Sequence, residues 1–230
     1  MPYVTDAGLS EAFKYVGSAV LSDVLDETGF PSQVIKSGLL ALGSSEAFCG
    51  PAVCVQGGAR PFLQTQVPAG FFQGPYELTN IDTCDSVLVL SAQGFTSGAL
   101  LGDRIAGRLK QNGCLGFITD GYARDSQALA EIGLPVRAAG LTPVNGGKRW
   151  AIFEKSITVT LPAQAGGVVK IRPGDFVLAD QDGVVIVPKE HAQDLISMAE
   201  EYKLKEERLK ENDGAVNLSD LTSHLRWLRT

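Results

Sequence analysis

Histidine and cysteine are too sparse in this sequence for several common kinds of catalytic site. The two histidines, His191 and His224, have no acid or nucleophile close to them in the sequence. The cysteines form no CxxC pair and no spacing typical of a secreted disulfide framework. Zinc centres and Ser–His or Cys–His chemistry are therefore poorly supported. Acid–base chemistry must fall on carboxylates, lysines, tyrosines or bound water. Apolar or small neighbours predict buried free thiols for Cys49, Cys54, Cys84 and Cys114.

Clusters of basic residues and long apolar runs are also missing. The net charge of −6 disfavours nucleic acid as a partner, because phosphate binding needs grouped basic side chains. No basic-then-apolar signal segment opens the chain, and no apolar run approaches the ~18 residues of a membrane helix. Hydrophobic residues make up 44% of the 230 positions. The composition predicts one cytoplasmic, soluble domain spanning 1–230, without a membrane partner.

A strand–helix–strand unit is visible in the middle of the chain. "DSVLVLSA" (85–92) is a short continuous apolar run, typical of a strand covered on both faces. A helix follows over about 101–112, ended by Asn112-Gly113, and "CLGFITD" (114–120) is the next strand. A strand–helix–strand order predicts that the two strands are parallel.

The flanking segments complete an α/β pattern in layers. Hydrophobic periodicity and turn signals predict further helices at 8–29 and 126–132, strands at 47–56 and 134–141, a polar loop at 143–150 and β structure over 156–187. From 188 onward the pattern predicts one long charged helix that extends away from the domain. No linker or repeat divides the chain.

The turn "FITDGYARDSQ" (117–127) places three charged residues directly after a buried strand. Asp125 is the stronger candidate ligand for a hard divalent cation, which prefers oxygen donors and completes its shell with water and substrate. Arg124 could bind a substrate carboxylate through its planar fork. Asp120 precedes a glycine, which favours a structural role in the turn. The alternative for all three is a solvated loop with a weak surface ion pair.

The helix that begins near Gly102 offers a second candidate feature. Its first N–H groups lack intrahelical partners and favour an anion, unless Thr96 or Ser97 caps the turn. Asp103 suits the helix dipole and could also hold a water of a metal ion. If the two strands are neighbours, Gly102–Ile105 should face Asp120–Asp125 at their carboxyl ends.

The long C-terminal helix carries one acid within its apolar stripe. At ~100° per residue, Glu206 falls in the arc formed by Leu195, Ala199, Tyr202 and Leu209. A carboxylate in that position needs a basic partner or a site on another subunit. The alternative is a charged fringe beyond the core.

Several of these segments together resemble one protein family. "GDRIAGRLKQNGCLGFITDGYARD" (102–125) resembles the glycine–acid start and DGxxRD finish shared by class II 4-hydroxy-4-methyl-2-oxoglutarate aldolases and the regulator of ribonuclease activity A. "LPVRAAGLTP" and "VKIRPGDFVLADQDGVVIVP" resemble later strands of that family. The resemblance covers roughly 85–210. It implies a layered β/β/α, swivelling-domain-like sandwich that assembles as a homotrimer or homohexamer with sites between subunits.

The resemblance also implies roles for particular residues. Asp125 would ligate Mg²⁺ or Mn²⁺, and Arg124 would bind the pyruvoyl part of the substrate. Backbone amides and one carboxylate would come from Gly102, Asp103, Arg104 and Ile105. The helix at 188–212 would reach a neighbouring subunit and present an acid from "KEER". Glu206 is the first candidate for that acid and Glu207 the second.

The activity implied is class II, metal-dependent pyruvate aldolase chemistry, a carbon–carbon lyase reaction. The substrate would be 4-hydroxy-4-methyl-2-oxoglutarate or 4-carboxy-4-hydroxy-2-oxoadipate, with oxaloacetate decarboxylation as a companion activity. The competing hypothesis is a non-catalytic, protein-binding regulator of the ribonuclease E type. Whether Asp103, Arg124, Asp125 and Glu206 come together distinguishes the two. Arg104 departs from the family's "GxLL" or "GxLM", and an added cation there suggests a more acidic substrate.

Overall fold

The chain alternates between strands and helices along most of its length. The computed structural model describes residues 5–60 and 74–211, with side chains described as far as residue 208. The helices are α1 (Asp6–Val16), α2 (Ser18–Glu27), α3 (Asp103–Gln111), α4 (Ser126–Ile132) and α5 (Ala192–Glu211). The strands are β1 (Leu40–Leu42), β2 (Phe48–Ala59), β3 (Val87–Ser91), β4 (Ala99–Leu101), β5 (Gly116–Ala123), β6 (Val136–Leu141), β7 (Trp150–Lys155), β8 (Val159–Pro162), β9 (Val168–Ile171), β10 (Phe176–Ala179) and β11 (Val184–Val187).

One mixed sheet contains all of these strands except β8 and β9. Its order is β1-β6-β5-β3-β2-β10-β11, with β4 beside β5 and β7 beside β2. The predicted parallel pairing of β3 with β5 is confirmed, with Val87 opposite Gly116. Strand β2 is long enough to pair with β10 at its start and with β3 further along, so the sheet curls over at β2.

Both faces of the central strands are covered, which explains why their sequences are continuously apolar. On one face Leu88, Leu90 and Phe117 belong to the core beneath α3 and α4. The alternate residues Val89 and Ile118 pack against the layer formed by β8–β11. Because successive strand side chains point to opposite faces, one run of apolar residues supplies two cores. The predicted layered α/β fold is confirmed, with helices on the outer sides of two β layers.

The C-terminal helix packs against its own chain over its first ten or so residues. Leu195, Ala199 and Tyr202 are buried in a third core with α1 and α2. The Tyr202 hydroxyl donates a hydrogen bond to Asp23 Oδ2 at 3.3 Å. The prediction that this helix extends away from the domain is therefore wrong over this stretch, because its apolar stripe finds its complement on α1 and α2. The side chain of Leu209 lies outside the described residues.

Several local features differ from the sequence prediction. Residues 143–150 are not only a loop: they contain a 3₁₀-helix at Gly146–Lys148, and Trp150 begins β7 fully buried. Cys84 is exposed, whereas Cys49, Cys54 and Cys114 are buried as predicted. Cys84 lies in the polar turn before β3, between two aspartates. No helix in the described part of the chain combines the length and hydropathy needed to cross a bilayer.

Candidate functional site

A short strand brings the start of α3 to the end of β5. Strand β4 runs parallel to β5, with Leu101 opposite Ala123. The Arg124 N–H then donates to the Leu101 carbonyl at 3.0 Å. Because parallel strands end at the same edge, Gly102 lies beside Arg124 and Asp125. The predicted convergence of Gly102–Ile105 with the DGxxRD turn is thus observed, although through β4 rather than β3.

Carboxylates occupy the amino end of α3. Gly102 is the N-cap residue, and no side chain caps it. The Asp103 N–H donates to Asp125 Oδ2 at 3.3 Å, and the Arg104 N–H donates to Asp103 Oδ1 at 2.7 Å. The alternative that Thr96 or Ser97 caps this helix is therefore not observed. The helix amino end attracts negative charge, as its unpaired N–H groups and dipole require.

Gly102 is required by the closeness of this approach rather than by backbone strain. Its φ of −147° is accessible to any residue. A Cβ at this position would lie 2.6 Å from Asp125 Oδ2 and 3.0 Å from Arg124 Nε. Both distances are shorter than van der Waals contact. Only a residue without a side chain lets the two charged groups lie against the start of α3.

Asp125 and Arg124 form an adjacent, partly exposed ion pair. Arg124 Nε lies 3.3 Å from Asp125 Oδ2, with side-chain exposures of 33% and 38%. An ion pair this exposed contributes little to stability. Asp125 also adopts the left-handed conformation, with φ 60° and ψ 42°, as the N-cap of α4. For a non-glycine residue this conformation costs on the order of 1 kcal/mol.

Asp120 has a structural role, as predicted, but it holds a neighbouring loop rather than its own turn. Its Oδ1 accepts the Ala92 N–H at 2.6 Å, and its Oδ2 accepts the Gly94 N–H at 2.7 Å. Both carboxylate oxygens therefore hold the loop that follows β3. Asp120 lines a different cavity from Arg124 and Asp125.

Two adjoining cavities share Arg124. The larger, about 670 Å³, is lined by Arg124 and Asp125 together with the first turns of α4 and residues 141–143. The smaller, about 230 Å³, lies between the first turn of α3 and residues 74–76, with Asn145 at its edge. Arg124 therefore lies between a cavity that contains the Asp125 carboxylate and a cavity that contains the amino end of α3.

Arg104 lines the smaller cavity and pairs with a residue that sequence reasoning did not identify. A hydrogen bond to Tyr76, followed by electrostatic interactions with Tyr76 and Asp103, raises the pKa of the exposed Arg104 guanidinium. Tyr76 lies in a 3₁₀-helix, Pro75–Asn80, with no periodic pattern to reveal it. Asn145 was also missed, although the Gly146-Gly147 pair that follows it was a usable signal. A Cβ on Gly146 would lie 2.4 Å from the Ala99 carbonyl, so this loop is pressed against β4.

Glu206 lies elsewhere on the chain. It neighbours Asp23 and Tyr202, and its charge contributes to raising the pKa of both, after burial as the largest cause. It does not line either cavity that contains Arg124. One chain therefore brings together Asp103, Arg124 and Asp125 but not Glu206. Glu207 is exposed on the same helix. A contribution from either acid to a neighbouring subunit's site stays a prediction.

The carboxylates at this site fit a hard cation that is bound by few protein ligands better than one that is enclosed by several. Among the described residues, no group of three or more His, Cys, Asp or Glu side chains could enclose a metal ion. Asp125 offers a partly exposed carboxylate at an open cavity, with Asp103 next to it. An ion bound mainly by one carboxylate, with water and substrate oxygens completing its shell, suits Mg²⁺ or Mn²⁺.

Comparison with known proteins places these features in a family. The RraA-like family model, described as Aldolase/RraA, matches residues 18–186. A Halalkalibacterium halodurans protein named "Putative 4-hydroxy-4-methyl-2-oxoglutarate aldolase" is 29% identical over 85% of this chain and 83% of its own length. A protein of the same name from Halorhodospira halophila is 32% identical over 72% of this chain and 90% of its own.

A solved structure agrees with the sequence comparisons. The Streptomyces coelicolor protein RraAS2, described as an unusual member of the RNase ES inhibitor RraA protein family, superposes with a TM-score of 0.75. It is 27% identical, and the match covers 90% of this chain and 98% of that one. The chain belongs to the RraA-like, Aldolase/RraA family.

Proposed function

We propose that this protein catalyses divalent-metal-dependent retro-aldol cleavage of a 4-hydroxy-2-oxo acid and releases pyruvate. The substrate would be of the 4-hydroxy-4-methyl-2-oxoglutarate or 4-carboxy-4-hydroxy-2-oxoadipate type. The observation that carries the proposal is the meeting of Arg124, Asp125 and the first turn of α3, around two adjoining cavities that share Arg124. The names of the aldolase relatives support a lyase.

Asp125 would hold the Mg²⁺ or Mn²⁺ ion, with Asp103 close enough to hold a water of its shell. When bound, such an ion supplies Lewis acidity to the carboxylate and keto oxygens of the pyruvoyl end. The backbone supports this role, since the strained Asp125 keeps its carboxylate at the amino end of α3. Gly102 leaves the space that this arrangement needs.

Arg124 would bind and stabilise the pyruvoyl half of the substrate. Among the described residues Arg124 pairs with Asp125 through Nε, so its Nη groups can meet a carboxylate in a bidentate manner. As the C3–C4 bond breaks, negative charge develops on the enolate oxygen of the departing pyruvate. A fixed guanidinium beside that charge lowers the barrier because it is already oriented.

Asp103 is the proposed proton-handling group within the chain. Its Oδ1 accepts the Arg104 N–H, and Asp103 lines the smaller cavity. Oδ2 could then hold the water that accepts the proton of the C4 hydroxyl. Glu206 of a neighbouring chain would complete the site in a homotrimer or homohexamer. Oxaloacetate would give the same enolate by loss of carbon dioxide, so decarboxylation is an expected side activity.

A coupled pyruvate assay tests the proposal. Protein stripped with chelator should release no pyruvate from either 4-hydroxy-2-oxo acid or from oxaloacetate, and added Mg²⁺ or Mn²⁺ should restore release. A thermal-shift titration of the same ions provides a readout that does not depend on turnover. Binding of the ions without turnover on any of these acids would contradict the enzyme hypothesis. It would favour the non-catalytic regulator suggested by the RNase-inhibitor relatives.

A further inference from the structure

A buried arginine on β6 has no role in the site described above. Arg137 is 4% exposed, and it is the one basic side chain among the described residues that is buried. It interrupts a strand that is otherwise formed by Val, Ala, Gly and Leu. Burying a guanidinium is costly unless its charge is balanced. Its surroundings should therefore contain a counter-charge or a place for one.

The protein partners of Arg137 stabilise its position without neutralising it. Nη2 donates to the Asp180 carbonyl at 2.9 Å, and Nη1 donates to the Val136 carbonyl at 3.3 Å. The guanidinium also lies 5.6 Å from the centre of the Phe48 ring. No carboxylate of the described chain lies within salt-bridge distance of it. Burial lowers the pKa of Arg137, and the charge of Asp180 offsets part of that effect.

The nearby Asp180 carboxylate is already committed to other donors. It accepts the N–H and the hydroxyl of Ser18 at 2.8 and 2.7 Å, and the Asp182 N–H at 3.0 Å. These bonds tie it to the start of α2 and to its own turn. Asp180 contacts Arg137 through its backbone carbonyl, and its carboxylate acts on Arg137 only from beyond salt-bridge distance.

Arg137 opens onto a cavity of its own. The cavity measures about 480 Å³ and is also lined by Lys36 and Asp180, with the exposed Asp182 at its edge. Val34, Ile35, Leu39 and Val184 supply apolar surface. Arg137 therefore lines a cavity that combines apolar walls with charged side chains.

We propose that this cavity binds a small organic carboxylate. Arg137 would bind the carboxylate group through its planar fork, Lys36 would add a second positive charge, and the apolar wall would contact the carbon chain. A volume of this size is typical of small-molecule sites, which combine apolar walls with a few placed polar groups. The site is separate from the cavities that contain Arg124, so the proposal does not depend on the retro-aldol function.

Ligand-observed NMR titration with 4-methylpentanoate tests the proposal, with 4-methylpentanamide and inorganic phosphate as comparison probes. We expect the acid to bind and the amide and phosphate to bind at least ~10-fold more weakly, since only the acid matches both charge and wall. Arg137→Met should weaken acid binding at least ~10-fold. Arg108→Met, at an exposed position of α3, should leave it unchanged. Binding should persist in Arg124→Met, which removes the carboxylate site proposed for catalysis.

Two further variants keep the test decisive if Arg137→Met does not fold. Lys36→Gln changes an exposed side chain of the cavity. Ala41→Phe fills it from β1, because Ala41 is the direct cross-strand partner of Arg137. Both should weaken acid binding by several-fold or more. The proposal would be overturned if the amide or phosphate bound as tightly as the acid. It would also be overturned if Arg124→Met lost acid binding, or if both cavity variants kept wild-type affinity.

Discussion

The carboxylate of Asp125 accepts the Asp103 N–H at 3.3 Å, so the candidate metal ligand is tied to the first turn of α3. This contact links the connection between β4 and α3 to the connection between β5 and α4. Gly102 directly precedes Asp103 and lies against the Asp125 carboxylate, so the position of Asp125 depends on the size of residue 102. Replacement of Gly102 is therefore the most local test of the site.

Gly102→Ala should reduce kcat/KM by at least ~10-fold with little loss of stability. The added Cβ would lie 2.6 Å from Asp125 Oδ2 and 3.0 Å from Arg124 Nε, so one or both charged groups must move. Displacements of this size have large effects on catalytic positioning. The backbone at Gly102 is not in a glycine-specific conformation, so the fold should tolerate alanine. Steady-state kinetics and thermal melting measure the two effects.

Gly107→Ala is the matched control for this change. Gly107 lies on the same helix, and the nearest atom to an added Cβ is Ile132 Cδ1 at 3.9 Å. Alanine there should leave kcat/KM unchanged and raise stability by roughly 0.5–1 kcal/mol, because glycine is unfavourable within a helix. Similar kinetic losses in both variants would mean that the close approach at Gly102 is not what matters.

Replacement of Asp125 should separate its chemical role from its backbone strain. Asp125→Ala and Asp125→Gly should both abolish the thermal shift caused by Mg²⁺ or Mn²⁺, together with turnover. Because Asp125 has a positive φ, the glycine variant should be more stable than the alanine variant by about 1 kcal/mol. Isothermal titration of the ion and urea unfolding measure the two properties.

Asp120→Ala should show the opposite pattern. It removes the acceptor of two backbone N–H groups, at Ala92 and Gly94, and should destabilise the fold by roughly 1–3 kcal/mol. Ion binding should persist, since Asp120 lines a different cavity. If Asp120→Ala lost ion binding while the Asp125 variants retained it, Asp120 would be the metal ligand and Asp125 the structural residue.

Asp125 and Asp120 illustrate how much of the fold and of the site the sequence predicts. The apolar runs predicted the parallel strands β3 and β5, and the place where strands end predicted the meeting of Gly102 with Asp125. Strand β4 could not be predicted, because three residues are too few to show a period. The burial of Arg137 was equally hidden, since it depends on Phe48 and the Asp180 carbonyl, which are distant in sequence.

The docking of α5 on α2 should be sensitive to alkaline pH through Tyr202. Burial, and then the nearby Asp23 carboxylate, raises the pKa of the Tyr202 hydroxyl to about 12. The unfolded chain, with a pKa of about 10, loses this proton first. The contribution of protonated Tyr202 is complete below about pH 10 and is lost as pH rises towards the folded value.

Urea unfolding of the wild type and of Tyr202→Phe, from about pH 8 to about pH 11, measures this dependence. The wild type should lose more stability over that range than the variant. Tyr15→Phe is the control, because it makes the same chemical change at a position that is 60% exposed. Parallel pH profiles for the wild type and Tyr202→Phe would show that this hydroxyl does not titrate differently in the fold.

Arg104→Leu should change substrate preference more than turnover. Arg104 lines the same cavity as Arg124 and Tyr76, so it is positioned to meet an additional substrate carboxylate. We expect KM for 4-carboxy-4-hydroxy-2-oxoadipate to rise about 10-fold, while KM for 4-hydroxy-4-methyl-2-oxoglutarate changes much less. Tyr76→Phe should produce a smaller change in the same direction. Equal effects on both substrates would assign Arg104 to the shared pyruvoyl end.

Mixed assemblies test whether Glu206 acts on a neighbouring subunit. Within one chain Glu206 lies beside Asp23 and Tyr202, away from the cavities of Arg124, so it can reach a site only on another chain. Asp125→Ala and Glu206→Gln should each be inactive alone. Co-expressed in equal amounts, they should recover about a quarter of wild-type activity, because heterologous interfaces pair an intact Asp125 with an intact Glu206 in about a quarter of sites. Glu207→Gln, expressed alone, is the matched control and should be active. If the mixture stays inactive although the chains assemble together, Glu206 acts within its own chain, and if Glu206→Gln is active alone, Glu206 has no role in the site.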